Sequence, residues 1–180
     1  MKKIPTLFQR DPDNMAHLLR TVHPDCQWVL DGEGIATRKY DGTCCMVRDD
    51  RLYKRHELRP GKTAPEGFEP AQDIDPSTGK QPGWIPVGDG PSDQWHREAM
   101  WEWPRPNGTY ELIGPKIQGN AEQALQHQLI AHADATTYPD VPRDFDGMRA
   151  WLLACPHEGI VWHHLDGRMA KLKRKDFPDV

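Results

Sequence analysis

Proline limits this chain more than any other residue. Seven of its 17 prolines (Pro60, Pro65, Pro70, Pro76, Pro82, Pro86 and Pro91) fall between positions 58 and 93. Proline fixes φ and offers no backbone N–H, so such a density excludes helices and central strands. Residues 58–93 therefore read as a long irregular loop with one short strand near 84–87. A loop of this length in a small chain is functional or disordered. Regular structure has to be built on either side of it.

On the N-terminal side, Met15, Leu18, Leu19 and Val22 recur at i, i+3, i+4 and i+7 behind Asp13, which predicts a helix over 11–22. Residues 27–30 and 35–40 read as strands around the turn at 31–34. Residues 43–48 and 51–55 read as a hairpin joined at Asp49-Asp50. After the proline-rich segment, helices are expected over 93–103, over 120–133 and over 144–155. The second has Asn120 as cap, Gln123 at the capping-box position and Leu125, Leu129 and Ile130 on one face. The third buries Met148, Trp151, Leu152 and Cys155. Strands are expected at 109–113, 159–164 and 168–172, the last two joined by an Asp166-Gly167 hairpin turn. Helices and strands mix without regular alternation, which points to one α+β domain over 1–180 with a largely antiparallel sheet.

Composition narrows the function. A hydrophobic fraction of 37% supports a modest core, and a net charge of -4 leaves no global basic footprint, so nucleic acid would be gripped by a local patch. Arg51, Lys54, Arg55, His56, Arg59 and Lys62 form such a stretch. Cys26, Cys44, Cys45 and Cys155 make no C-x-x-C pair and read as packed free thiols of a reducing compartment. His163-His164 has no Cys or His partner at zinc spacing. Trp95, Trp101 and Trp103 read as core. No signal core or membrane-length apolar run is visible, so the expectation is a soluble cytoplasmic protein without a membrane partner.

The chemistry-bearing residues sit at strand ends. Lys39-Tyr40-Asp41-Gly42 puts a lysine at the end of a strand, before a turn. Its amine is a candidate nucleophile, although the motif alone reads more readily as an exposed strand-end lysine before a turn. Lys54-Arg55, Gly108 to Gly114, Glu158-Gly159-Ile160-Val161 and Ala170-Lys171-Leu172-Lys173 follow, each placing charge in or beside an apolar strand. Burying charge without a partner is costly, so these segments suggest a polar site. Strand alternation places Lys171 and Lys173 on one face.

These segments resemble, in order, motifs I, Ia, III, IV and V of the covalent nucleotidyltransferases, the superfamily of ATP-dependent ligases and mRNA capping enzymes. Lys39 to Gly42 is similar to motif I, Arg55 to the arginine of motif Ia, and Tyr110-Glu111-Leu112-Ile113-Gly114 to motif III. Glu158 to Val161 is similar to motif IV and Lys171-Leu172-Lys173 to motif V. Asp41 to Cys45, Glu111 to Gly114 and Gly119-Asn120 look most like the vertebrate-type 5′–3′ RNA ligases. Residues 174–180 follow Lys173, so the OB-fold that DNA ligases and capping enzymes carry after motif V is not expected.

The resemblance implies an adenylyltransferase fold, ATP-grasp-like, with antiparallel sheets flanked by helices. It implies ATP and Mg²⁺ as cofactors, with Mn²⁺ as a substitute, and RNA with 5′-phosphate and 3′-hydroxyl ends as partner. Lys39 would form lysyl-AMP, Lys171 and Lys173 would hold the α-phosphate, and Glu158 would bind the metal. Glu111 and Arg55 would contact the ribose hydroxyls or orient the nucleotide, Thr37 would lie beside the adenine, and Arg38, Asp41 and Gly42 would complete the nucleotide site. Lys54, Arg55, Arg59 and Lys62 would meet RNA phosphates. Two rivals stand beside this reading. One is a nucleotidyltransferase, including a guanylyltransferase, with another acceptor; the other is a nucleotide- or RNA-binding module without chemistry.

Overall fold

The computed structural model describes residues 1–177. In chain order the elements are β1 (Phe8–Arg10), β2 (Leu18–Val22), α1 (Gln27–Leu30), β3 (Ile35–Lys39), β4 (Thr43–Arg48), β5 (Arg51–Leu58) and β6 (Glu69–Pro70). They continue with β7 (Gln81–Pro86), α2 (Gln94–Glu98), β8 (Gly108–Ile113), β9 (Gln128–Ala131), α3 (Phe145–Ala154), β10 (Gly159–His163) and β11 (Met169–Lys173). The class is α+β, and the strand pairs of all three sheets are antiparallel. The chain divides into two compact units, one of Ile4–Tyr40 with the residues from Ala135 onward, the other of Met1–Lys3 with Asp41–Asp134.

The first unit carries a three-stranded sheet in the order β11-β10-β3 and the ribbon β1-β2. Its core includes Leu7, Phe8, Trp28, Val29, Met148, Leu152, Ile160, Trp162 and Leu172. Helix α3 forms where the sequence predicts it. The Asp144 carboxylate accepts from the Gly147 N–H at 2.9 Å, and Met148 and Leu152, four apart, are buried. The hairpin β10-β11 turns at Gly167, whose φ of 90° suits glycine.

The second unit is a six-stranded sheet in the order β6-β7-β5-β4-β8-β9. Cys45, Val47, Leu52, Tyr110, Leu112 and Leu129 form its core with Ala99 and Ile117. The β4-β5 hairpin turns at Asp49 and Asp50 with φ of 51° and 58°, the left-handed pair that a two-residue hairpin needs. The helix expected over 93–103 is broken into short turns, with α2 between 3-10 segments at Pro91–Asp93 and Ala99–Glu102.

Four expectations are corrected. Residues 11–22 are not a helix: Leu18–Val22 is a strand paired with β1, Phe8 opposite Val22. Their apolar stripe is not one buried face, since Met15 is 64% exposed while Leu18 and Val22 pack on the core. Residues 27–30 are a helical turn burying Trp28 and Val29, an apolar run too short for periodicity to assign. The helix expected over 120–133 is absent because Gln118, Gly119, Asn120 and Gln123 all take positive φ; residues 128–131 instead pair with β8, and Leu125 is 98% exposed. Prolines do enter a strand, at Pro82 and Pro86 of β7. Only the two-residue β6 lies outside β7, so the missing N–H groups fall close to a sheet edge.

Candidate active site

Three neighbouring strands of the first unit bring the charged residues together. Gly159, the first residue of β10, pairs with Lys39 at the end of β3 on one side and with Lys173 at the end of β11 on the other. Glu158, one residue earlier, reaches both. Lys39 Nζ donates to Glu158 Oε2 at 2.5 Å, and Lys173 Nζ lies 2.9 Å from Oε1. The carboxylate side chain is only 8% exposed and each lysine 20%. Gly159 is required here, because a Cβ would stand 2.2 Å from the Leu172 carbonyl oxygen. Asp176 fixes the end of β11: its carboxylate accepts from the Lys173 N–H at 2.9 Å and pairs with Arg10 at 2.5 Å.

Charge and burial set the protonation pattern. Burial alone would raise the Glu158 carboxyl, but Lys39 and Lys173 outweigh it and hold the group below its usual value. Lys171 lies two residues from Lys173 on the same strand face. Burial first, and then the positive charges of Lys173 and Lys39, push its amine down to about 8. A lysine with so depressed a pKa, beside two more lysines and a buried carboxylate, is characteristic of a functional site. The same face continues along β3 to Thr37, whose hydroxyl donates to the Val161 carbonyl at 3.1 Å and lies 3.0 Å from His163 Nε2. Arg38 points to the other side of the strand, with its guanidinium 4.3 Å from the Tyr40 ring centre.

The remaining candidates belong to the second unit. The Asp41 N–H donates to Glu122 Oε1 at 2.8 Å. Gly42 packs against β8 so closely that a Cβ would stand 2.3 Å from the Leu112 carbonyl oxygen and 2.7 Å from Glu111 Cγ. Glu111 is buried on β8, with Oε2 3.0 Å from His132 Nε2, while His132 Nδ1 lies 2.9 Å from the Thr109 hydroxyl. Arg55 lies over the Trp84 ring at 4.9 Å and donates to the Met1 carbonyl at 2.5 Å; burial pulls its guanidinium below its usual pKa. Lys54 is ion-paired with Asp93, which also accepts from the Gly88 N–H at 2.8 Å. Arg59 and Lys62 are exposed.

Lys39, Glu158, Lys171 and Lys173 thus form one group with Thr37, and Gly42 touches Glu111. Sequence reasoning missed His132, Asp176, Glu122 and Asp93, each of which reaches its partner through strand register or a loop; no local motif announces them. It also read Trp101 as core, whereas that ring is 56% exposed and its N–H donates to the His127 carbonyl. The four cysteines are free thiols as read, with Cys44 the half-buried one. Among the described residues, no helix is long and apolar enough to cross a membrane.

No protein-family model matches the chain. Curated proteins named RNA ligase 1 from Mus musculus, Rattus norvegicus and Pongo abelii are each similar to it, at 26% identity over 215 aligned residues. The alignment takes in 78% of this chain but only 65% of the mouse protein and 66% of the other two, so the chain spans just under two thirds of these relatives.

Proposed function

We propose that the chain is an ATP-dependent RNA ligase with an adenylyltransferase fold, in which Lys39 is the residue that accepts the nucleotide. The observation that carries this reading is the cluster in which one buried carboxylate, Glu158, holds Lys39 and Lys173 beside Lys171. The similarity to proteins named RNA ligase 1 supports the same substrate class.

In this reading Lys39 Nζ, freed of its proton, attacks the α-phosphorus of ATP. A P–N bond forms, the bond to the bridging oxygen breaks and pyrophosphate leaves. The AMP then passes to the 5′-phosphate of an RNA, and attack of a 3′-hydroxyl on that phosphate joins the ends and releases AMP. Lys171 and Lys173 take the α-phosphate oxygens, where charge accumulates in the transition state. Glu158 holds Lys39 in place before reaction and is the donor for Mg²⁺. A single carboxylate suits that ion, which fills its remaining positions with waters and phosphate oxygens; Mn²⁺ accepts the same oxygen donors. When bound, the ion neutralises phosphate charge. Thr37, Arg38, Asp41, Gly42, Arg55 and Glu111 are assigned to the nucleotide. Arg59 and Lys62 are the exposed candidates for RNA phosphates, whereas Lys54 would have to exchange Asp93 for one.

The test is incubation with Mg²⁺ and α-³²P-labelled ATP, followed by a denaturing gel, with labelled GTP and Lys39→Ala alongside. An ATP-specific band that the substitution abolishes supports the ligase reading. A GTP-specific band favours capping chemistry, and no band with either nucleotide and either metal overturns the enzyme reading.

A further inference from the structure

Cross-strand register in the second unit builds a cluster of another kind. Cys44 on β4 and Glu111 on β8 are directly opposed partners, so their side chains leave the same face of the sheet. Glu111 in turn faces Ile130 on β9, and His132 follows two residues later. The Cys44 Sγ, a Glu111 carboxylate oxygen and a His132 ring nitrogen all lie within 4.8 Å of one another.

We infer that Cys44, Glu111 and His132 form a zinc-binding site. The donor set is one thiolate, one imidazole and one carboxylate, a combination that selects Zn²⁺ over Mg²⁺ because sulfur is a soft ligand. Donor atoms about 2.0–2.3 Å from a tetrahedral zinc lie roughly 3.3–3.8 Å apart, so closure asks for side-chain movements of about 1 Å. Metal-binding histidines usually give their second ring nitrogen to an outer partner, and that partner is present here. With its proton on Nδ1, His132 donates to the Thr109 hydroxyl at 2.9 Å and turns the Nε2 lone pair toward Glu111. Binding releases one proton from the Cys44 thiol, and three protein ligands leave a fourth position for water or a phosphate oxygen. Nothing in this inference needs the lysyl-nucleotide reading, because Lys39, Glu158, Lys171 and Lys173 supply none of the three donor atoms; Glu111 is the one residue that both readings use.

The experiment measures Zn²⁺ binding to the full chain, without nucleotide, by competition with a chromogenic chelator. The site predicts one zinc per chain. Cys44→Ser and His132→Gln should each weaken binding by roughly a hundredfold, Thr109→Val by about tenfold, and Lys39→Ala not at all. Co²⁺ provides an independent reading that needs no folded variant: the unsubstituted chain should show a thiolate-to-cobalt charge-transfer band. Absence of that band, or zinc affinity unchanged in Cys44→Ser, would overturn the site. A ligase that labels at Lys39 yet binds no zinc would refute this inference alone.

Discussion

Lys171 is a single residue whose burial among other positive charges works against stability. Its amine titrates at about 8 in the fold against 10.5 unfolded. Because the folded value is the lower one, the unfolded chain binds more protons between these pH values, so Lys171 opposes folding below pH 8 and this opposition fades toward 10.5. Lys171→Met keeps the aliphatic stem and removes the charge. It is expected to raise the Tm at pH 7 by a few degrees, at about 2–4 °C per kcal/mol, while abolishing nucleotide labelling; calorimetry and the gel assay check the two halves. Glu158 has the opposite sign. Its folded pKa is depressed, so the stability it contributes is present above the usual carboxylate range and is lost as pH falls through the folded value. Glu158→Gln leaves Lys39 and Lys173 facing each other without their anion, and should cost about 1–3 kcal/mol at pH 7. Urea unfolding at pH 7 and pH 4 should show the gap narrowing in acid.

Among the elements, β10 depends on close backbone packing. Gly159→Ala pushes a methyl into the Leu172 carbonyl, and is expected to destabilise by at least about 2 kcal/mol and to separate Glu158 from its lysines. Leu125→Glu is the complementary test. In an amphipathic helix over 120–133 it would remove a core contact, but in the exposed turn observed it should change stability by no more than about 0.5 kcal/mol in urea unfolding. The same contrast explains what the sequence could reveal. Helix α3 was legible because an N-cap and an i, i+3, i+4, i+7 stripe agree, and the β10-β11 hairpin because Asp166-Gly167 lies between two apolar runs. Residues 11–22 and 120–133 carry a few apolar residues at helical spacing by coincidence. Tertiary pairing with β1 and β8, and a run of left-handed residues from 118, decide their fate. The Lys39-Glu158-Lys171-Lys173 group was legible because each member sits in or beside a strand within a short motif. The pairings of His132 with Glu111 and of Asp93 with Lys54 were not, since only the register of distant strands and a loop contact create them.

For the molecule as a whole, charge decides how the RNA of the proposed function would be held. The net charge of -4 repels a polyanion, so any affinity must come from local cations. Arg59 and Lys62 are exposed at the start of the proline-rich segment. Replacing both with alanine should flatten the log–log salt dependence of single-stranded RNA binding by about 1.4, roughly 0.7 per lost phosphate contact, in filter binding across a salt series. An unchanged slope would remove them from the interface. The central claim, however, concerns one nitrogen atom. Its most direct test is peptide mapping by mass spectrometry after incubation of the full chain with ATP and Mg²⁺. A single AMP adduct is expected, on the peptide that contains Lys39, stable to base and lost in Lys39→Ala. An adduct on Lys171, Lys173 or any other residue, or no adduct at all, would contradict the account.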